Sequence, residues 1–436
     1  MTAVTSTGPA AFLGRHEGLR GRLPGASLPW VEALRDRSAI AFRAQGFPTR
    51  RVEAWKYTDL AAVSASVFGE PLTGVDDALA LAPATGPRAV FIDGRFRADL
   101  SALEGLPYTA ENLAWALPQL KDRLGTLVRP EEQALAALNG MLFEDGLVVS
   151  VPEGVAAGVL ELVSFATESE RAPAFHPRHL VRLGAGASLT LIETAAGPPR
   201  ARYMHNPVFE IEVAEGARLN HGRLQQEGRE AFFLSTVYAR VQAGGTYDNF
   251  TLNAGARLAR NEIHVALCGP KAECHMNGAQ LLADGQHADT TTALDHAAPD
   301  CSSRQTYKTV LSGKSRGVFQ GKILVRQIAQ KTDGYQMNQA LLLSPEAEID
   351  SKPQLEIYAD DVKCSHGATV GELDADQIFF LRSRGIPLEQ ARAILVEALL
   401  VEAVEAVADD HIRAALSGAV TGWWQRQGIA GGIEAA

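Results

Sequence analysis

The sequence predicts a mainly β protein built in three regions. Between residues 146 and 370, short runs alternate apolar and polar residues, and glycine-containing turns separate these runs at a nearly constant spacing. On either side of this region the apolar periodicity becomes helical. These three observations predict a β-solenoid core at 146–370, a mixed, mostly helical region at 1–145 and a helical unit at 371–436.

The core is predicted from its strands and their spacing. Alternating runs are typical of strands with one buried and one solvated face. Gly186 and Gly216 are 30 positions apart, and Gly216 and Gly245 are 29 apart. This period favours solenoid coils over a two-sheet sandwich, but the repeat has no fixed sequence motif and the sandwich remains an alternative. The candidate strands are 180–183, 189–192, 208–213, 232–238, 323–328 and 355–358.

The N-terminal region combines helices with a hairpin. Between Trp30 and Phe42 the apolar residues recur at helical spacing, and Pro48 ends the pattern. The segment 131–142 again has a helical pattern. At 90–96 an Asp-Gly pair stands between apolar flanks, which indicates a β-hairpin.

The C-terminal unit is predicted to be helical. Asp374 is a candidate N-cap before the apolar run that begins at Ile378, and a Gly-Ile-Pro sequence at 385–387 separates this helix from the next. From Leu388 onward one face is apolar while the charged residues lie off it. The unit either packs against the core or offers a docking surface to a partner.

Composition narrows the class of protein. The 436 residues are 46% apolar and 21% charged, which is the balance of a soluble globular protein. The formal net charge of −10 argues against an extended nucleic-acid-binding face, which needs clustered lysine and arginine. The most apolar stretch, 393–407, contains three glutamates, so we expect no membrane span.

The N-terminus and the cysteines indicate the compartment. The first nine residues contain neither a basic segment nor an apolar core, so no secretion signal is expected. The chain has four cysteines, too few for a disulfide framework, and we expect reduced thiols. Both observations predict a cytoplasmic protein, or one in an equivalent reducing compartment.

One short stretch, 358–371, contains a candidate metal-binding pair. Cys364 and His366 are two residues apart, so a strand that continued from 355–358 through them would project both side chains to one face. Their Cβ atoms would lie about 6 to 7 Å apart, given a rise of about 3.3 Å per residue. A thiolate and an imidazole suit zinc, copper or an iron–sulfur cluster. Two ligands leave a site incomplete, so others must come from elsewhere in the chain, a second subunit or solvent. The alternative is a buried thiol beside a hydrogen-bonded histidine.

Two further polar groups have a structural interpretation. Cys268 and the Cys274-His275 pair do not match the spacing of the usual zinc motifs, and burial of small side chains in a strand explains them more simply. The run 284–296 contains three aspartates and two histidines. A hydrolase could use such a group, but a solvated strand face with its turns is the commoner meaning.

The segment 313–317 partly matches a nucleotide-binding motif. It contains the Gly-Lys-Ser that ends a phosphate-binding loop, but Lys308 stands where the loop needs its first glycine. A turn is the better interpretation. The sequence therefore gives no basis for nucleotide hydrolysis by this chain, and we expect a non-enzymatic protein.

Four long stretches stand in fixed order at 317–325, 329–344, 356–371 and 380–386. They resemble the SufD family, whose members are subunits of the SUF iron–sulfur cluster assembly machinery. The paralogous SufB family shares this C-terminal core, but 48–60, Pro-Thr-Arg-Arg-Val-Glu-Ala-Trp-Lys-Tyr-Thr-Asp-Leu, resembles the SufD signature. The N-terminal cysteine cluster typical of SufB is missing.

This resemblance implies a right-handed parallel β-helix flanked by helical segments. It implies pairing with SufB through the β-helices, docking of the ATPase SufC on the C-terminal helices at about 378–424, and a role in iron supply and nascent cluster formation. It also implies that Cys364 and His366 lie near the SufB–SufD junction, where the partner supplies further ligands to iron or a transient cluster.

Other functions stay open at this point. A SufB-like scaffold that receives sulfur directly would use more cysteines along the β-helix, and Cys268, Cys274 and Cys301 leave room for it. A carbohydrate-active β-helix enzyme would usually be secreted. Unpaired β-helix surface also allows the isolated chain to form a homodimer. The sequence does not distinguish bound iron from a [2Fe–2S] or a [4Fe–4S] cluster.

Overall fold

The computed structural model describes residues 7–71 and 84–426, with side chains as far as residue 423. The last ten residues of the predicted C-terminal unit therefore lie outside the described residues. The described helices are α1 (Gly8–Leu19), α2 (Pro29–Gln45), α3 (Ala61–Ala65), α4 (Leu113–Ala116), α5 (Ala134–Leu142), α6 (Ala375–Arg382), α7 (Leu388–Glu405) and α8 (Asp410–Arg426). No helix in these parts of the chain combines the length and the hydropathy that crossing a membrane requires.

The strands make up most of the described chain between residues 147 and 371. They are β1 (Arg88–Ile92), β2 (Arg95–Phe96), β3 (Thr109–Asn112), β4 (Leu147–Val151), β5 (Ala156–Phe165), β6 (Ala174–Phe175), β7 (Arg178–Leu183), β8 (Ser188–Ala196), β9 (Met204–His205), β10 (Val208–Val213), β11 (Arg218–Gln226), β12 (Phe232–Val241), β13 (Thr246–Asn253), β14 (Leu258–Leu267), β15 (Glu273–Leu282), β16 (His287–His296), β17 (Ser302–Leu311), β18 (Arg316–Val325), β19 (Asp333–Leu342), β20 (Glu348–Ile357) and β21 (Lys363–Gly371).

These strands form a parallel β-solenoid of about eight turns. One sheet runs β2-β1-β5-β8-β11-β13-β15-β17-β19-β21, and the other runs β20-β18-β16-β14-β12-β10-β7-β4-β3. Ser188 pairs with Arg218, and Arg218 pairs with Thr246, so the residue that stacks on a given position follows it by roughly 30 positions, as solenoid coils require. The solenoid prediction is confirmed, and the sandwich alternative is wrong.

The interior of the solenoid changes character along its axis. In the first coils most inward positions are apolar, and Leu189, Phe209 and Ile211 are representative members of this buried cluster. A smaller buried polar group that includes Glu193 and Arg223 lies among them. In the last coils many inward positions carry polar side chains that water does not reach. They include Asn261, Gln280, Thr290, Gln305, Gln336 and Asn338.

The N-terminal region covers the first coils. The predicted hairpin is confirmed: β1 and β2 pair antiparallel, and Asp93 and Gly94 form the turn with positive φ angles of 47° and 77°, a conformation that favours Asp-Gly. Helices α2 and α5 lie where the sequence predicts helices. Further along, the ring of Trp55 packs over the buried guanidinium of Arg260, whose Cζ lies 3.7 Å from the ring centroid. This contact fixes the chain segment around Trp55 on the outer face of the solenoid.

The polar run 284–296 is not the solvated face that the sequence predicts. Asp289 and His296 are completely buried. Asp289 forms an ion pair with Arg260 and accepts a hydrogen bond from the hydroxyl of Thr58. The prediction was wrong for Asp289 because the N-terminal segment covers it, and no local pattern predicts a contact more than 200 residues distant. It was wrong for His296 because this residue faces the interior of the solenoid, where its ring bonds Ser303. Asp284 is exposed, as predicted.

The C-terminal helices divide into a packed pair and an exposed one. Helices α7 and α8 pack on the outer face of the first sheet through an apolar cluster that includes Leu400, Leu416 and Trp423. The predicted cap is confirmed, because Asp374 accepts hydrogen bonds from two backbone N–H groups of α6. None of the residues of α6 is buried, and its Phe379 side chain is 73% exposed.

Candidate functional site

Cys364 and His366 lie on the last strand of the first sheet, β21. They are not on an extension of the strand at 355–358, because β20 ends at Ile357 and a turn precedes Lys363. The two segments belong to different sheets. The hypothesis of one continuous strand is therefore wrong, although the two residues still share a strand and hence a face.

Both side chains stand on the interior side of the last coil. Cys364 pairs in register with Gly334 of β19, and His366 pairs with Gln336. Gly334 and Gln336 are inward-facing and buried, so the residues stacked on them face the same way. A strand rise of about 3.3 Å per residue separates the two α-carbons by about 6 to 7 Å, so both side chains can reach one metal centre.

The two candidate ligands differ in burial. Cys364 is half-buried and packs against the apolar cluster of Ile323 and Leu355. Its sulfur lies 3.4 Å from the position that a Cβ at Gly334 would occupy, so glycine on the coil below leaves room for the thiol. His366 is exposed, because no further coil in the described part of the chain covers it.

Burial raises the pKa of the Cys364 thiol, and the charge of Asp333 raises it further, while a backbone hydrogen bond at Gly334 opposes the shift. The thiol is therefore mostly protonated at neutral pH. A thiolate is the form that binds metals, and a cation at the site would favour loss of that proton. The pair is suited to binding a cation more than to acting as a nucleophile.

The pair is not a complete metal site within the described residues. In residues 7–71 and 84–426 there is no group of three or more histidine, cysteine, aspartate or glutamate side chains that could hold a metal ion. Cys364 and His366 supply two ligands of the four that zinc or a cluster iron commonly takes. Whatever they bind needs ligands from outside the described chain.

The last coil ends in two uncovered strand edges, which we call the open end: the outer edges of β20 and β21. Within the described residues no strand pairs with either edge. Apolar side chains are exposed here, with Tyr358 63% and Val370 53% exposed. An exposed, regular strand edge is a template for pairing with another chain.

The open end presents unpaired backbone groups beside the candidate ligands. The N–H of Lys363 donates to the carbonyl of Thr332, toward β19. In a parallel ladder the N–H and C=O groups of successive residues point to opposite sides. The backbone groups of Cys364, His366 and Ala368 therefore point away from β19, along the free edge, where a partner strand would bond to them.

The other cysteines lie away from the open end. Cys274 is buried in β15, as expected, and it stands three coils below Cys364 in one stacked column. Cys268 is exposed just after β14, so the strand-burial interpretation is wrong for it. Cys301 is buried in a turn, with its sulfur 3.3 Å from the carbonyl oxygen of Gly269.

The segment 313–317 forms a turn, as predicted. It joins β17 to β18, and Gly313 has a φ of 60°. Ser315 has the Gly-x-Ser-x-Gly spacing of a nucleophile elbow, but it is buried in a strand-to-strand turn, whereas the elbow needs an exposed serine between a strand and a helix.

Sequence reasoning missed the polar side chains directly below the pair. Gln336 and Asn338 are fully buried on β19, and Asn338 donates to the hydroxyl of Ser351 over 2.9 Å. The signal was present, because Tyr335 and Met337 alternate with Gln336 and Asn338. An alternating pattern alone does not tell which face of the strand is buried.

Comparisons with known proteins place the chain among iron–sulfur assembly proteins. Residues 165–399 match the family described as SUF system FeS cluster assembly, SufBD core domain, and residues 16–80 match the SufBD protein N-terminal region. The chain is 36% identical to the iron–sulfur cluster assembly protein SufD of Escherichia coli, covering 84% of this chain and 87% of that protein. It is 32% identical to the chloroplastic protein ABCI7 of Arabidopsis thaliana, over 89% of this chain and 85% of that protein. An iron–sulfur cluster assembly SufBD family protein of Synechocystis is also 32% identical, over 83% of this chain and 84% of that protein.

Proposed function

The chain belongs to the SufBD family of the SUF iron–sulfur cluster assembly system, and from this premise we propose that it is a scaffold subunit holding one half of a shared site for iron or a nascent cluster. The observation that carries the proposal is the position of Cys364 and His366 on the uncovered last coil. The iron or cluster is cargo of the assembly, and it is bound transiently.

The partner at the open end is a SufB-type paralogue whose own solenoid stacks on β20 and β21. Parallel strand addition would satisfy the free backbone groups of β21 and cover the exposed apolar side chains. It would also bring ligands from the partner to the two that this chain provides. An isolated chain would use the same edges to form a homodimer.

A SufC-type ATPase docks on the C-terminal helices. Helix α6 supports this assignment because it exposes Phe379 and Phe380, at 73% and 54%, and none of its residues is buried. Exposed aromatic side chains are enriched at the centres of protein interfaces. The chain itself is not an enzyme and works in the cytoplasm, and ATP hydrolysis reaches the open end through α7 and α8.

The test is co-purification of the chain with the paralogue and the ATPase, followed by anaerobic iron and sulfide analysis. We expect complexes with His366→Ala or Cys364→Ser to assemble and to retain severalfold less iron and sulfide than wild type. Cys268→Ser and His411→Ala are matched controls, because both side chains are exposed away from the open end. Wild-type iron and sulfide in both site variants would refute the proposed function.

A further inference from the structure

Gln336 has a completely buried side chain whose amide lacks a partner. Its exposure is 0%, and among the described residues neither Oε1 nor Nε2 makes a hydrogen bond. A buried polar group without a partner costs about 1–3 kcal/mol, and such groups are rare in folded proteins. The amide is therefore expected to serve a group that it contacts in the working assembly.

The fold makes specific room for this amide. Gly321 of β18 stands across the coil, and a Cβ there would overlap Nε2 of Gln336. The side chain of Gln336 thus extends into space that a glycine leaves free.

Gln336 lies between two polar side chains of its column, Gln305 on the coil below and His366 on the coil above. Among the described residues, Nε2 of Gln305 and Oδ1 of Asn338 also lack partners. Gln305, one coil below, already accepts a hydrogen bond from Thr292 over 2.7 Å. On the same strand, the amide nitrogen of Asn338 is committed to Ser351. His366 lies one coil above, in direct register with Gln336. Neighbouring strands are about 4.8 Å apart, a distance that two long side chains bridge readily.

We propose that Gln336 is the positioning residue of His366: its Oε1 accepts the ring N–H and so leaves the other ring nitrogen unprotonated and available to a metal. This inference rests on the proposed function. Histidine ligands commonly donate their second ring N–H to a carbonyl, which fixes both tautomer and ring orientation. The opposite polarity fails, because an imidazole that accepts from Nε2 carries its proton on the nitrogen that should bind the metal.

The direct test reads the tautomer of His366 in the full-length chain by ring-nitrogen NMR at alkaline pH, with the signals assigned by His366→Ala. Wild type should show one predominant tautomer. Gln336→Met keeps the length of the side chain but removes the carbonyl, so it should give a mixture of tautomers. Gln336→Glu restores an acceptor and should restore a single tautomer. Gln305→Met, one coil deeper, is the matched control and should leave the His366 signals unchanged.

A tautomer distribution for Gln336→Met equal to that of wild type would overturn the inference. Thermal unfolding establishes that each variant is folded, and Gln336→Asn, whose amide is too short to reach His366, tests the same contact if the methionine variant does not fold. Iron retained by the complex should fall about tenfold in Gln336→Met and recover in Gln336→Glu. A tautomer that responds while iron does not would support the contact and count against the proposed function.

Discussion

The two ends of the solenoid are built differently. The first, which we call the closed end, consists of β1, β2 and β3 with helix α4. Here β2 and β3 pair antiparallel with their neighbours, and an apolar cluster that includes Leu113, Leu117 and Leu180 covers the edge. At the open end, β20 and β21 keep the parallel register of the coils before them and have exposed outer edges within the described chain.

The interiors of the coils follow the same division. Near the closed end most stacked side chains are apolar. The buried charges among them pair within the chain, as Glu193 does with Arg223 over 2.6 Å. Near the open end Gln336 and Asn338 are polar and incompletely hydrogen-bonded, and the next coil presents Cys364 and His366. The comparison teaches that the closed end has its strand edges covered within the chain, whereas the open end combines uncovered strand edges in the described chain with unsatisfied polar groups beneath them, of the kind that a partner completes.

The largest expected effect comes from breaking a buried ion pair beside the closed end. Glu210 accepts hydrogen bonds from the N–H groups of Gly125 and Leu127, and it pairs with Arg178 over 2.7 Å. Glu210→Ala leaves the guanidinium buried without its carboxylate, and we expect a loss of about 3–5 kcal/mol in the free energy of unfolding. Urea denaturation measures it.

A surface pair at the open end provides the contrast. Glu53 pairs with Lys352 of β20, but its side chain is 75% exposed, so Glu53→Ala should change stability by less than about 1 kcal/mol. Equal losses for Glu53→Ala and Glu210→Ala would contradict the view that the closed end stabilises the fold. In the double variant Arg178→Met, Glu210→Leu much of the stability should return, because no unpaired charge remains buried.

The sequence predicted the architecture because the relevant signals are local and repeated. Alternating strands, the period between Gly186 and Gly216, and the Asp93-Gly94 turn each reflect backbone geometry within a few residues or one coil. The position of Cys364 and His366 at an uncovered edge was expected only from family resemblance. Strand alternation alone could not place the two residues at that edge, since the turn before Lys363 has no distinctive sequence pattern.

The polar contacts were the part that could not be predicted. The burial of Asp289 depends on Trp55 and Thr58, which are more than 200 positions away in the sequence. Gln336 and Asn338 were overlooked because a strand with polar residues inside looks the same, by period, as one with polar residues outside. Which face is buried is decided by neighbouring coils.

A pH effect of intermediate size should arise beside the closed end. The ring of His179 stacks on Phe209 with centroids 4.4 Å apart, and its Nδ1 accepts the N–H of Leu147. Burial lowers the pKa of His179 to about 3. Below pH 6.5, about the usual pKa of histidine, the unfolded chain binds a proton at His179 while the folded chain does not. The stability that His179 contributes is therefore full above that pH and falls as the pH is lowered toward 3.

The variant His179→Gln isolates this contribution, because its amide oxygen can accept from Leu147 without titrating. Between pH 6.5 and 4.5 wild type should lose about 2–3 kcal/mol more than the variant. Urea midpoints at the two pH values measure the difference. Identical losses in both proteins would show that His179 does not remain neutral in the fold.

The smallest expected effect on the fold tests the open end itself. Ala368→Pro removes an N–H that points away from β19, so the chain loses no internal hydrogen bond and should fold with a cost below about 1 kcal/mol. The proline ring should still obstruct strand addition, and we expect the affinity for the paralogue, or for a second copy, to fall at least about tenfold.

Thr369→Pro is the matched control for that experiment. By the alternation of the ladder, the N–H of Thr369 points toward β19, so this substitution breaks a bond inside the chain and should lower stability by about 1–3 kcal/mol. Sedimentation velocity of each variant, alone and mixed with the paralogue, reports association, and urea denaturation reports stability. If Ala368→Pro associates as wild type does, the partner does not add a strand at β21, and the two ligands must be completed from another direction.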